Sequence, residues 1–116
     1  MAVQKFEDIV AWQKAQDLAV DLYSIFGNHK DFGFRDQILR AGVSISNNIA
    51  EGFDRSSNAD FSRFLYIASA SCSEVKSMLY LAQRLKYIDL DKKQELLNKS
   101  TEISKIIAGF IKSLKK

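Results

Sequence analysis

A chain of 116 residues with 47% hydrophobic and 27% charged residues has the composition of one folded domain, which excludes a disordered segment. Its formal net charge of +3 permits a polyanionic partner without requiring one. A single cysteine excludes an internal disulfide, and no apolar run approaches the roughly 18 residues that would span a membrane. The first residues carry charges where a secretory signal would be apolar. We therefore expect one domain over residues 1–116, located in the cytoplasm and without a membrane partner.

Two helices are predicted in the first half of the chain. The first runs from Asp8 to Phe26, with Asp8 as its cap and Gly27 at its end, because its apolar residues recur at steps of three and four. The second is predicted over 35–51, closed by Gly52. No proline interrupts either segment.

Two further helices are predicted in the second half. The third begins at a Ser57 cap with Asp60 as its capping-box partner and runs to Lys86. The fourth begins at an Asp91 cap with Gln94 in its first turn. The third carries a heptad seam of the kind found in helical bundles: Phe61, Leu65, Ala68, Cys72, Val75, Leu79 and Ala82. Short loops make neighbouring helices antiparallel, so the prediction is an all-α, antiparallel up-down four-helix bundle.

Two helices have more apolar surface than one core requires. Residues 41–50 contain no charge, although a helix exposed on one side normally places charges there. The third helix has a second apolar flank beside its seam, formed by Phe64, Ile67, Met78, Leu81 and Leu85. These surfaces favour contacts between subunits. The alternative is a thick core with a partly exposed rim.

The residues that catalysis or metal binding would require are nearly absent. His29 is the single histidine, and its loop position is typical of a solvated side chain. No Glu-x-x-His motif occurs, which excludes the usual di-metal site of helical bundles. Cys72 occupies a heptad position, where a small buried side chain is the simpler interpretation. We expect no catalytic residues, no metal and no cofactor.

A polar stripe follows one side of the second helix. Its members are separated by three or four residues: Gln37, Arg40, Ser44, Asn48 and Glu51. In an antiparallel pair of helices, Arg40 would lie within about one turn, roughly 5.4 Å, of Glu74 on the third helix. A buried Arg40–Glu74 pair within a structural polar network is therefore predicted. The alternative is a pocket with an active site, which lacks a nucleophile and a base.

Basic residues gather towards the C-terminus. The candidate contacts for nucleic acid are Lys105, Lys112, Lys115 and Lys116, with Arg63 and Arg84 as additions. The alternative is a solvated helix end, where cations favour the helix dipole. No aromatic residue interleaves with the lysines, so a platform for base stacking is not expected.

The chain resembles the bacterial four-helix-bundle proteins encoded in intervening sequences of 23S ribosomal RNA genes. The run Asn-Ile-Ala-Glu-Gly at 48–52, with Arg40 and Ala41 upstream, is the most specific part of the resemblance. Further matching positions in the three helices are Phe6, Trp12, Gln13, Lys14, Ala15, Leu18, Tyr23, Gln37, Ile38, Ser44, Ile45, Phe61, Phe64, Leu65, Ile67, Ala68, Ser71 and Glu74. Arg35 replaces a threonine that often opens the second helix, which leaves its capping residue open.

This family is similar in turn to the accessory variability proteins of diversity-generating retroelements. Those proteins are pentameric barrels whose basic surface engages nucleic acid and a reverse transcriptase. The resemblance implies a homopentamer that can bind RNA or DNA, and no enzymatic activity is established for the family. The function expected from the sequence is a non-enzymatic oligomeric scaffold that binds nucleic acid non-specifically. The alternatives are a protein-interaction module with no role in nucleic-acid binding and, less favoured, an enzyme.

Overall fold

Four α-helices account for most of residues 3–115, the part of the chain that the computed structural model describes. A 3₁₀ turn at Phe6–Asp8 precedes α1 (Val10–Phe26), α2 (Phe32–Phe53), α3 (Asn58–Arg84) and α4 (Leu90–Leu114). No strand occurs within the described residues, so the predicted all-α fold of four packed helices is confirmed. None of the helices within 3–115 combines the length and apolar character that a membrane crossing would need.

The neighbouring helices run antiparallel, as the contacts between them show. Gln16 of α1 bonds Ser46 of α2, and further along α1 Leu22 meets Gly42, which lies earlier in α2. The same reversal relates α3 to α4. Asn58, at the start of α3, bonds the carbonyl of Leu114 at the end of α4. The start of α1, the end of α2, the start of α3 and the end of α4 therefore share one end of the bundle.

The predicted heptad seam of α3 is confirmed, because all seven of its residues are buried. The seam packs against apolar residues of the other helices, including Leu18, Ile45 and Ile107, which are all fully buried. Cys72 lies in this core as predicted, and burial raises the pKa of its thiol. Since the thiolate is the reactive form, the structure makes Cys72 a packing residue.

Of the four predicted helix starts, three are wrong and one is confirmed. Asp8 belongs to the 3₁₀ turn, and α1 begins at Val10 without a side-chain cap. Asp31 caps α2 by accepting a hydrogen bond from the Phe34 amide at 3.1 Å, so that helix starts earlier than predicted. The fourth helix is capped by Asp89, not by Asp91, through the Lys92 amide at 2.7 Å. Ser57 caps α3 as predicted.

Gly52 does not close α2 as predicted, but lies buried inside its last turn. A Cβ atom at this position would lie 2.7 Å from Phe64 Cβ and 2.9 Å from Phe61 Cδ1. The absence of a side chain therefore lets α2 approach α3 closely at this end of the bundle. The prediction for Gly52 was wrong because the sequence does not distinguish a glycine that ends a helix from a glycine that allows two helices to pack closely.

Candidate nucleic-acid interface

The predicted ion pair between Arg40 and Glu74 is wrong for the chain as the structure describes it. Arg40 is exposed and forms no ion pair within residues 3–115. Gln37 takes its place, with its Nε2 atom 3.4 Å from Glu74 Oε2. Three residues along a helix correspond to a rotation of about 300°, which turns Arg40 away from the line where α2 meets α3.

The rest of the predicted polar network is reduced to a few short hydrogen bonds. Ser71 Oγ lies 2.9 Å from Ser44 Oγ, which joins α3 to α2. The Asn48 side-chain amide donates to Ser44 Oγ at 2.9 Å and to its carbonyl at 2.8 Å. Glu51 is exposed. Ser71 belongs to this network although the sequence analysis had not assigned it there, because a serine among small residues gives no polar signal of its own.

The geometry offers little for catalysis along this stripe. A shallow groove of about 390 Å³ follows the outer side of α2 between Tyr23 and Glu51, with Arg40 on its wall. Its lining contains no histidine or cysteine, and the Ser44 hydroxyl there is hydrogen-bonded to Asn48 and Ser71. Within residues 3–115, no three of the His, Cys, Asp and Glu side chains gather where they could hold a metal ion.

A basic surface runs along the line where α3 and α4 meet on the outside of the bundle, and we call it the α3/α4 face. Two contacts across this line define it. The Lys115 ammonium lies 5.8 Å from the ring centroid of Tyr66, and the Lys93 ammonium lies 5.0 Å from that of Tyr80. Helical spacing places further cations on or beside this line. The members of the face are Tyr66, Lys76, Tyr80, Arg84, Lys93, Lys105, Lys112 and Lys115.

The cations of the α3/α4 face are not neutralised by carboxylates. None of its six lysines and arginines forms an ion pair within residues 3–115. From residue 62 to its end, α3 contains one carboxylate, Glu74, and this group bonds Gln37 of α2. The face therefore presents positive charge that a polyanion could neutralise.

The opposite side of α4 shows the contrasting arrangement. There Glu102 pairs with Lys14 of α1 at 3.4 Å. Lys99 bonds Asp21 of α1 and approaches Glu95, and these carboxylates raise the pKa of its ammonium group. The acidic residues of α4 that form ion pairs thus lie on the side facing α1. This segregation leaves an excess of cations on the side facing α3.

The predicted contact residues are distributed along and beside this face. Lys105, Lys112 and Lys115 are exposed on α4, and Arg84 is exposed in the last turn of α3. Arg84 and Lys115 lie on the line where α3 and α4 meet, whereas Lys112 and Lys105 lie beside it on the outer side of α4, where Lys105 lines a groove with Lys99 and Glu102. Lys116 lies outside the described residues.

Arg63 lies at the edge of the face, and its guanidinium also contacts an acidic and an aromatic residue of α3. Its Nε atom is 3.8 Å from Asp60, and its guanidinium lies 4.8 Å from the Phe64 ring centroid. A second arginine, Arg55, lies over the same ring at 4.6 Å and had not been singled out in the sequence. The two arginines form a separate small cationic cluster at this end of the bundle.

No aromatic residue was expected to interleave with the C-terminal lysines, but in the folded protein the ring of Tyr66 lies beside Lys115. Tyr66 and Tyr80 come from α3, while the lysines against their rings come from α4. The pairs are therefore far apart in the sequence, and only the antiparallel packing brings them together. The signal that could have found them is the helical spacing of two tyrosines on the polar side of α3.

A second exposed surface lies on a different side of α3. Ile67, Leu81 and Leu85 have 39–45% of their surface exposed, and Met78 is buried among the same helical positions. Together they form an apolar stripe along α3 beside α2, interrupted midway by the exposed Glu74, which we call the α3 stripe. It is the exposed part of the second apolar flank predicted from the sequence.

Comparison with known proteins gives a family without an established activity. The family model described as "23S rRNA-intervening sequence protein" matches residues 7–109. A crystal structure of a protein with unknown function from the S23 ribosomal protein family of Bacteroides thetaiotaomicron is similar to this chain, with 34% identity and a TM-score of 0.84. The match covers 89% of this chain and 99% of that one. A search of curated proteins found no match. The chain belongs to the 23S rRNA-intervening sequence protein family.

Proposed function

We propose that this protein is a non-enzymatic oligomeric scaffold that binds nucleic acid without sequence preference through its α3/α4 face. The observation that carries the proposal is the charge segregation across α4, which leaves six cations of this face without ion pairs among residues 3–115. Phosphate groups are the natural partners of such a surface, because they release condensed counterions when lysines and arginines neutralise them.

The chemistry of the face explains why little base preference is expected. Lysine ammonium groups contact phosphates well, but they read base edges only where a side chain reaches into a groove in fixed geometry. Lys105, Lys112 and Lys115 are exposed, and no asparagine or glutamine is among the members of the face. Binding is therefore governed by charge and by the path of the phosphate backbone.

Self-association belongs to the same proposal. The α3 stripe offers apolar surface that a partner copy would cover, and residues 41–50 of α2, which carry no charge, support the same interpretation. The resemblance to the pentameric accessory variability proteins supports five copies. At +3 for each chain, a pentamer would carry about +15 and would repeat the α3/α4 face by symmetry. One long polyanion could then contact several copies, which raises avidity without stronger individual contacts.

The second candidate function is a protein-interaction module, and the α3 stripe is the observation that favours it. An exposed apolar stripe between polar margins is also the surface on which an amphipathic helix of another protein would dock. The two functions differ in their dependence on salt, because apolar docking lacks the counterion release that accompanies phosphate binding.

A binding titration tests the proposal. Fluorescence anisotropy with labelled RNA and DNA at about 50 and 150 mM salt is expected to show binding that weakens steeply with salt. Replacing Lys112 and Lys115 with glutamine should weaken binding to every nucleic acid. The matched control replaces Lys5 and Lys30, which are also exposed and also remove two charges, but lie outside the α3/α4 face.

Two results would reject the proposal. The first is the absence of binding to RNA and DNA at about 50 mM salt. The second is an equal loss of affinity in the Lys112/Lys115 variant and in the Lys5/Lys30 control, because net charge rather than this face would then govern binding. In the first case the protein-interaction module becomes the leading function.

A further inference from the structure

Two tyrosines stand on the α3/α4 face with about half of their surface in solvent. Tyr66 is 52% exposed and Tyr80 is 53% exposed. They are separated by 14 residues of one continuous helix, which corresponds to about 21 Å along its axis and to nearly four full turns. Both rings therefore lie on the same side of α3, at two places along the bundle.

Each ring is paired with a lysine from α4. Lys115 places its ammonium 5.8 Å from the Tyr66 ring centroid, and its Nζ atom lies 3.2 Å from the Tyr66 hydroxyl. Lys93 places its ammonium 5.0 Å from the Tyr80 ring centroid. The same unit, an exposed ring with an unneutralised cation beside it, thus occurs twice on one basic surface.

We infer that the α3/α4 face binds single-stranded nucleic acid in preference to duplex, with an unpaired base stacked on each of Tyr66 and Tyr80 and nearby phosphates contacted by Lys115 and Lys93. This inference rests on the proposed function, because it names the partner class of the same face. Exposed aromatic rings beside a positively charged track are the arrangement by which proteins bind single strands without sequence preference.

The lysines do not prevent a base from reaching the rings. A cation–π contact at an exposed site is weaker than the stacking of a base on an aromatic side chain, so a base can displace the ammonium. The lysine side chain is long and flexible, and its displaced ammonium stays close enough to contact the phosphate of the stacked nucleotide. The contact between each tyrosine ring and its lysine in the free protein is therefore compatible with binding of one nucleotide by both side chains, the ring stacking on the base and the lysine contacting the phosphate.

A duplex cannot use the rings in this way. Its bases are already paired and stacked, and exposing one costs unstacking and unpairing energy. A duplex would gain only the charge contacts of the face. A single strand would gain the same type of charge contact and two stacking contacts in addition. The distance of about 21 Å between the tyrosines corresponds to about six nucleotide steps at the 3.4 Å spacing of a duplex strand and to fewer steps in an extended single strand, so a strand of about twelve nucleotides is long enough to reach both rings.

Tyrosine variants test the inference on the full-length protein. Tyr66→Leu and Tyr80→Leu, singly and together, are titrated against a labelled 12-nucleotide single strand, as RNA and as DNA, and against a 12-base-pair duplex. Each substitution is expected to weaken single-strand binding about tenfold and to leave duplex binding within about twofold of the unchanged protein. Tyr66→Phe and Tyr80→Phe should retain binding, because they keep the ring.

The chain provides a matched control. Tyr23 of α1 is 53% exposed, as the two tyrosines of α3 are, but it lies in the groove beside α2. Tyr23→Leu should bind single strand and duplex like the unchanged protein. Circular dichroism and sedimentation of each variant establish that the bundle and its mass are retained, and the exposure of all three side chains makes that the expected result.

The outcomes separate this inference from the proposed function. Single-strand binding that is unchanged in the double leucine variant, or an equal loss for single strand and duplex, would overturn the role of the tyrosines while leaving charge-driven binding intact. Failure of the unchanged protein to bind any nucleic acid at about 50 mM salt would remove the proposed function itself. A selective loss for single strands, recovered by phenylalanine, is the result that supports the inference.

Discussion

The hydroxyl of Tyr87 donates a hydrogen bond to Asp31 Oδ2 at 2.6 Å, while Oδ1 of the same carboxylate caps α2 through the Phe34 amide. Tyr87 lies between α3 and α4, and Asp31 lies between α1 and α2. A single carboxylate therefore joins the two interhelical connections at one end of the bundle. The His29 ring lies 4.1 Å from that of Tyr87 and completes this junction.

Tyr87→Phe should lower the thermal midpoint of unfolding by a few degrees, because it removes the hydrogen bond and keeps the ring packing. The hydrogen bond lowers the pKa of Asp31 and raises that of Tyr87. The depressed pKa of Asp31 adds stability that is present above about pH 4 and is lost as pH falls further. The raised pKa of Tyr87 adds stability that is present below about pH 10 and is lost as pH rises through the elevated value.

The difference in thermal midpoint between the unchanged protein and Tyr87→Phe should therefore be roughly constant between these two limits and shrink outside them. Thermal denaturation at several pH values measures it. An equal difference at pH 2 and pH 7 would show that the hydrogen bond to the ionised carboxylate is not its source.

Two glycine-to-alanine substitutions should change stability in opposite directions. At Gly52 the new methyl would meet Phe64 Cβ at 2.7 Å and Phe61 Cδ1 at 2.9 Å, so helices α2 and α3 would have to move apart. Overpacking of this kind costs about 1–3 kcal/mol. At Gly109 of α4 nothing lies within 4 Å, and alanine there should stabilise the helix by up to about 1 kcal/mol.

Urea denaturation at equal protein concentration measures both glycine variants. Because both substitutions make the same chemical change within a helix, Gly109→Ala is the propensity control for Gly52→Ala. Stabilisation by both variants would show that the end of the bundle relaxes readily around an added methyl group.

Arg40→Ala should change the free energy of unfolding by less than about 0.5 kcal/mol in the single chain, because Arg40 is exposed and forms no ion pair within residues 3–115. Denaturant unfolding below the concentration of self-association provides the measurement. A loss of about 3 kcal/mol or more would indicate the buried ion pair that the sequence had suggested. The same variant at higher concentration shows whether Arg40 contributes to contacts between subunits.

The chain should sediment as a homo-oligomer at micromolar concentration, and Leu81→Glu with Leu85→Glu should lower its mass, because two charges would enter the α3 stripe. Sedimentation equilibrium measures the mass. Val20→Glu is the control, since Val20 of α1 is 66% exposed and lies away from that stripe.

A mass near 13.2 kDa for the unchanged protein contradicts self-association. A dimer would support the role of the stripe and contradict the pentamer.

Periodicity alone predicted the fold class and the core of this protein. The heptad seam of α3 is buried in full, because a helix whose apolar residues share one side gains most by covering that side. The Ser57 cap was also predicted, since a serine three residues before an acidic residue has a local role that needs no tertiary contact. Local signals failed where two candidates stood close together, as with Asp89 and Asp91 at the start of α4.

The composition of the α3/α4 face could not be predicted in this way. The sequence located the lysines of α4, but it did not assign to them the tyrosines of α3 that lie beside them, because Tyr66 and Lys115 are 49 residues apart. It also predicted Arg40 as the partner of Glu74, whereas Gln37, three residues earlier on α2, makes that contact. Periodicity determines which side of a helix faces the core. Contacts at the margins of that side depend on the axial register and rotation of each helix against its neighbour, and these were decided only when the four helices packed together.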